Sequence, residues 1–360
     1  GDVELGSYLS GGMDSGSITA VAAQSFPDLK TFTCGFDLSS ASGIELAFDE
    51  RVQAEAMSAK FKTEHYEMVL KAGDMERCLP RLAHHLEEPR VGQSYPNFYA
   101  AQLASKFVKV VMSGAGGDEL FGGYPWRYYR AVVNDDFEDY IDKYYGFWQR
   151  LTNQDNRASQ VTDVDPKAIF RSVFRTTDVP LERPEDYINQ SLYFEAKTFL
   201  HGLFVVEDKL SMAHSLETRV PFMDNDLVDF AMQCPVGLKL NNLAEVTRMD
   251  ENEPGDKNAK YFQKTSDGKQ ILRDMMSRLI PDDITKSAKQ GFSSPDASWF
   301  KGDSIDFVRE RLLDPKSKIY DVLDYTATTD LVQEHLTGTQ NRRLLIWSLL
   351  NVNTWMEDVL

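Results

Sequence analysis

Short β-rich runs and helical stretches alternate through the first 112 residues, and this rhythm restricts the fold more than any other feature of the chain. Residues 3–9 read as a strand, 15–25 as a helix and 31–36 as a second strand. A helix over 49–61 follows from the spacing of Val52, Ala56 and Ala59, then a strand over 65–70 and a helix over 74–84. A further helix over 97–107 leads into the apolar strand 108–112. Strands separated by helices predict an α/β fold, a parallel sheet with helices on both faces. Ligands of such sheets sit beyond the carboxyl ends of the strands, so the segments after the strands carry the functional reading.

Directly after the first strand stands Ser10-Gly11-Gly12-Met13-Asp14-Ser15. Two glycines let the backbone turn tightly and approach a ligand, and the two serines add hydroxyl donors. The next helix aims its first amides at the same point, which makes an anion cradle. Asp14 would repel bare phosphate, so its presence calls for a bridging cation, Mg²⁺ being the natural choice. The plainer reading is a Ser/Gly turn with Asp14 capping the helix. After the strand 108–112 comes Ser113-Gly-Ala-Gly-Gly-Asp118-Glu119-Leu-Phe-Gly-Gly-Tyr124, again small residues ending in an acidic pair. Two such segments at strand ends of one sheet can face each other, with Asp14 and Asp118 sharing one Mg²⁺ on a polyphosphate. Neither carries the GKS or GKT ending of a Walker loop.

The rest of the chain bounds this reading. A formal net charge of −17 with no basic block disfavours nucleic-acid binding, yet leaves room for a local cationic pocket. Cys34, Cys78 and Cys234 lie too far apart for a disulfide framework or a CxxC metal site, and a reducing cytoplasm is the expected compartment. No apolar run reaches the roughly 18 residues of a membrane span. Three regions are expected: a nucleotide-binding α/β part over 1–133, a helical and irregular insertion over 134–190, and a helical part over 191–360. Residues 241–269 form a polar stretch that reads as an exposed loop or lid. Leu344, Leu345, Trp347, Leu349, Leu350 and Trp355 mark a final helix packed into the core. Glu217, Arg219 and Asp224 read as a buried ion network, and His84-His85 beside Glu87-Glu88 as a solvated helix end.

The two loops resemble those of the asparagine synthetases. The first matches the SGGxDS pyrophosphate loop shared by ATP pyrophosphatases, and SGAGGDELFGGY is a narrower match to synthetase-type domains. Thr31-Phe-Thr-Cys-Gly-Phe36, Glu87-Glu-Pro89, the stretch Ser211 to Asp224, Gly268-Lys-Gln-Ile-Leu-Arg273 and Lys289-Gln-Gly-Phe292 follow in family order. The resemblance implies an adenine nucleotide alpha-hydrolase-like fold that uses ATP and Mg²⁺. A carboxylate, aspartate in the parent family, becomes an acyl-adenylate that ammonia attacks. It also implies that Leu9, Cys34, Ser113 and Gly114 line the adenosine site. Leu9 and Cys34 would act through backbone atoms, Cys34 being a small buried residue and not a nucleophile. Ser10, Gly11, Gly12 and Ser15 would hold pyrophosphate, Asp14 and Asp118 the metal, and Lys289 would stabilise developing charge, against a plain surface-lysine reading. A glutaminase domain is expected ahead of Gly1, and a homodimer is among the assemblies the resemblance allows.

Two positions depart from the pattern. Ala115 stands where the best-understood bacterial synthetases carry a glutamate and β-lactam-forming cyclases a tyrosine, and an alanine moves no proton. Gly92 stands where those synthetases carry an arginine, with Arg90 nearby. These leave open a cyclase or amidotransferase acting on a β-lactam, lasso-peptide or sugar-acid type carboxylate. A non-catalytic nucleotide-binding module is the reading from another class.

Overall fold

The computed structural model describes residues 3–128, 134–149, 151, 164–241, 268–286 and 293–358. Its centre is one parallel sheet of β1 (Leu5–Tyr8), β2 (Lys30–Phe36), β3 (Glu64–Leu70), β4 (Val110–Met112) and β5 (Glu217–Arg219), in the order β3-β2-β1-β4-β5. Register is set by Gly6 opposite Lys30 on one side and Val111 on the other, with Val111 opposite Thr218 in turn. The chain starts in the middle, steps outward to β3, then returns to β4 on the far side of β1. Right-handed crossovers therefore send the helices after β1 and β2 to one face and those before β4 to the other. Between β1 and β4 the direction of winding reverses, which opens a crevice above those two strand ends.

α1 (Met13–Ala22) and α2 (Arg51–Phe61) cover one face, where Met13, Ala54 and Met57 join a core with Leu120 and Ile280. α2 is helical as its spacing predicts, but its buried side is Ala54, Met57 and Ser58, while Val52 is 73% exposed. The opposite face holds α4 (Tyr95–Ala104) and the helix His201–Met212, over a core of Phe32, Ala101, Val108 and Val111. β5 falls inside the stretch expected to be helical. Glu217 and Arg219, two residues apart, point to the same side of this edge strand. They pair at 2.7 Å with 54% and 64% of their side chains exposed, so no buried ion network forms there. Asp224 is exposed and caps the helix Asn225–Gln233 by accepting from the amides of Asp226 and Leu227.

Two further cores brace this platform. α3 (Ala72–Leu86) buries Met75, Leu79, Leu82 and Leu86 along one stripe against the C-terminal helix Arg343–Asp358. At about 1.5–3 kcal/mol for each fully buried large aliphatic side chain, that seam holds α3 on the sheet. The C-terminal helix buries Leu345, Trp347, Leu349 and Leu350, with Leu344 and Trp355 half-buried. Beyond β4, the helices Phe137–Trp148, Pro166–Ser172 and Pro184–Glu195 form an aromatic cluster in which Tyr140 stacks on Tyr144 and Tyr187. No described helix is long and apolar enough to cross a membrane.

Candidate active site

The segment after β1 turns sharply because its serines hold it. The Ser15 hydroxyl accepts from the Ser10 amide at 3.0 Å and lies 2.9 Å from the Ser10 hydroxyl. The Ser10 hydroxyl in turn accepts from the Gly12 amide at 3.0 Å. Gly12, not Asp14, is the N-cap of α1. The Asp14 carboxylate is thereby left to face across the crevice.

The segment after β4 begins where the Ser113 amide donates to the Arg219 carbonyl at 2.8 Å, which continues the sheet by one bond. Gly116 then adopts φ +98°, a conformation that side chains other than glycine's resist, and starts the short helix α5 (Gly117–Phe121). Asp118 and Glu119 are both buried on α5. The two segments touch: a β-carbon on Gly117 would lie 2.5 Å from an Asp14 carboxylate oxygen. Neighbouring parallel strands thus deliver Asp14 and Asp118 to one spot.

A third element reaches the same spot. Lys269 Nζ lies 2.8 and 2.6 Å from the two carboxylate oxygens of Asp14 and also pairs with Asp118. Its side chain is 2% exposed. Two carboxylates of different loops therefore converge on one buried positive charge. That is the donor set a hard divalent cation needs, with its remaining ligands drawn from phosphate and water. Among the described residues no cluster of three or more His, Cys, Asp or Glu side chains is placed to hold a metal ion.

The other expected site residues fall as follows. Ser10, Gly11, Gly12 and Ser15 stand at the carboxyl end of β1, and Ser113 and Gly114 at that of β4. Leu9 is fully buried; its amide donates to the Phe32 carbonyl at 3.0 Å and its carbonyl accepts from the Thr33 hydroxyl. Cys34 is buried in β2, and burial, with Asp74 and Asp49 nearby, pushes its thiol up to about 12, far from nucleophile behaviour. Lys289 and most of 241–269 lie outside the described residues. Arg90 donates to the Gly202 carbonyl and to Glu88 at 2.9 Å, a structural anchorage.

Comparison with known proteins decides the family. The family model described as asparagine synthase matches residues 1–357. The chain belongs to the asparagine synthase family. It is 26% identical to asparagine synthetase (glutamine-hydrolyzing) 1 of Bacillus subtilis (strain 168), over 98% of this chain and 56% of that protein. It is 27% identical to asparagine synthetase (glutamine-hydrolyzing) 3 of the same organism, over 99% of this chain and 57% of that protein. The chain spans about half the length of the curated relatives it matches.

Three further residues at the crevice are brought there by the fold of this family member. Lys269 was visible only as one letter of a motif, 255 positions from Asp14. Glu207 is half-buried on His201–Met212, and burial raises its carboxyl to about 7 against the opposing effect of the Ser113 hydroxyl. Glu119 accepts from the Tyr124 hydroxyl at 3.1 Å, and burial together with the neighbouring Asp118 charge raises it to about 7. Beneath it the Arg127 guanidinium lies 3.8 Å from the Tyr124 ring centroid and 3.5 Å from the buried Glu195. No charge or spacing rule on the sequence singles out Glu207, which is one acid among 56 acidic residues.

Proposed function

We propose that this chain makes an amide from a carboxylate and ammonia at the expense of ATP, the carboxylate passing through an acyl-adenylate and pyrophosphate leaving. Aspartate, giving asparagine, is the first-choice substrate. The observation that carries the reading is the convergence of Asp14 and Asp118, from loops on adjacent strands, on a single buried cation.

The chemistry follows from how the loops are held. The Ser10 and Ser15 hydroxyls and the first amides of α1 present donors to phosphate oxygens, and the helix dipole favours negative charge there. The amides around Gly114 to Gly117 approach from the opposite wall. Asp14 and Asp118 would hold Mg²⁺, which when bound neutralises the polyphosphate and the charge of the departing pyrophosphate. The adenosine lies over Leu9 and Cys34 toward Ser113 and Gly114 in this reading. Lys289 supplies positive charge where negative charge develops at the reacting centre.

Ala115 shapes the second half-reaction. Its amide donates to the Ser113 hydroxyl oxygen at 3.2 Å, but its side chain accepts no proton. A carboxylate close to Ser113 is Glu207, which burial raises to about 7. Ammonia comes to the acyl group free or from glutamine, as the relatives' names suggest. The alanine also keeps a second reading in view, the same activation with a different carboxylate or an intramolecular amine.

The test is pyrophosphate release with ATP, Mg²⁺ and ammonia, with and without L-aspartate, while products are followed by mass spectrometry. Aspartate-dependent pyrophosphate and AMP with asparagine appearing alongside is the expected result. ATP binding without pyrophosphate for any carboxylate offered would overturn the enzymatic reading.

A further inference from the structure

Lys269 is placed by design of the backbone around it. It adopts φ +59° at the start of the helix Gln270–Met276, a left-handed conformation that a lysine takes only when its surroundings impose it. Its amide donates to the Phe121 carbonyl at the end of α5, 3.1 Å away. Gly268 before it packs so closely that a β-carbon there would sit 2.5 Å from the Gly122 carbonyl oxygen. The Arg273 guanidinium donates to the Gly268 carbonyl at 2.7 Å and to that of Thr285. The lysine's main chain is therefore clamped to the second loop, while its side chain keeps four rotatable bonds.

We propose that Lys269 is a resident cation of the carboxylate pair, which makes Asp14 and Asp118 refuse a free divalent ion and accept it only together with a nucleotide's phosphates. The proposal rests on the reading of Asp14 and Asp118 as the metal-holding pair. Two carboxylates with nothing between them would repel each other and bind a free dication readily. With the ammonium lodged between them, an arriving dication meets a like charge and must displace it. A buried ammonium does not leave one anion without gaining another. A polyphosphate entering with its metal brings that second anion into reach of a side chain that swings while its backbone stays fixed. Lys269 acts here as a positioning residue for the order of metal and nucleotide entry.

The test is Mn²⁺ binding to the purified chain, read by electron paramagnetic resonance without any turnover. Wild type is expected to bind Mn²⁺ weakly alone and far more tightly with α,β-methylene-ATP. Lys269→Met is expected to bind Mn²⁺ alone about tenfold or more tightly than wild type does. Adding Asp118→Asn to that variant removes the gain. Equal Mn²⁺ affinities of wild type and Lys269→Met would overturn the proposal, as would a gain that survives Asp118→Asn. Should Lys269→Met not fold, wild type alone decides. Tight nucleotide-free Mn²⁺ binding that Asp118→Asn abolishes sinks the idea, and weak binding that nucleotide strengthens sustains it. Because no step uses a carboxylate substrate or pyrophosphate release, these outcomes are separate from a failure of the adenylation reading.

Discussion

Gly114 and Ser15 meet backbone to backbone: a β-carbon on Gly114 would lie 2.5 Å from the Ser15 amide nitrogen and 2.8 Å from the Asp14 carbonyl carbon. Neither atom belongs to a flexible side chain, so nothing can move aside cheaply. Gly114→Ala is expected to push the loop after β4 away from α1 and to spoil the shared phosphate cradle. Nucleotide affinity should fall roughly tenfold to a hundredfold, in line with misplacement by about an ångström. Isothermal titration with α,β-methylene-ATP checks this, and unchanged affinity would show that the loops do not bind nucleotide from both sides.

Asp14→Asn and Asp118→Asn each keep the shape of the side chain and remove one anion from the pair. In either variant Lys269 retains the other carboxylate as partner, so the fold should persist in circular dichroism. ATP-dependent pyrophosphate release is expected to drop on the order of a hundredfold to a thousandfold, the scale seen when one charge-stabilising group is lost. Full turnover in either variant would remove the metal assignment.

Much of this geometry is legible in the chain, and the parts that are not have physical causes. The strand and helix alternation shows because buried parallel strands and helices differ in period, and glycine clusters punctuate their ends. β5 does not show, since three polar residues on a sheet edge lack any apolar run. The spacing of Val52, Ala56 and Ala59 marks α2 as a helix but not which face meets the sheet; all three are exposed, and the sheet takes Ala54, Met57 and Ser58. The pairing of Lys269 with Asp14 joins residues that only the folded chain brings together. Glu217 and Arg219 looked like a buried network because charge complementarity is visible in sequence and exposure is not.

Glu195 is fully buried under the second loop and receives the Tyr128 and Tyr144 hydroxyls at 3.0 and 2.8 Å, with Arg127 Nη1 at 3.5 Å. Glu195→Ala would take the buried carboxylate from the guanidinium and the acceptors from two buried tyrosine hydroxyls, at a cost of about 3–5 kcal/mol. Glu195→Gln keeps one acceptor oxygen for one hydroxyl and turns an amide N–H toward the oxygen of the other, and should cost less. Chemical unfolding of the two variants separates them. An equal, small effect would mean that aromatic packing alone holds this region.

Asp296 is buried with Tyr95 and Ser294 donating to it, at 2.9 and 2.8 Å, and burial lifts its carboxyl to about 6. A folded-state value above the unfolded one means that the native protein holds the proton more tightly. Stability is therefore undiminished below about pH 4, falls as pH rises toward 6, and is flat above that. The loss over this interval is on the order of 3 kcal/mol. Asp296→Asn carries no such penalty and should gain on wild type as pH rises from 4 to 6. Denaturant unfolding at both ends of that interval tests it; parallel curves would show that Asp296 ionises in the native protein at its ordinary value.

Glu207 offers the last prediction, because it bears on how an alanine at position 115 is tolerated. A base works only when ionised, so amide formation should rise with pH until about 7 and then level off, following the Glu207 carboxyl. Glu207→Gln keeps the size and polarity of the side chain but cannot take a proton. It is expected to form amide more slowly and without the rise toward neutrality, while aspartate-dependent release of pyrophosphate continues. The profile must be taken at a constant concentration of unprotonated ammonia, so that the nucleophile's own titration does not mimic the enzyme's. A variant that keeps the wild-type profile would assign the pH dependence to another group, such as Glu119 with its similar value, and leave Glu207 outside the reaction.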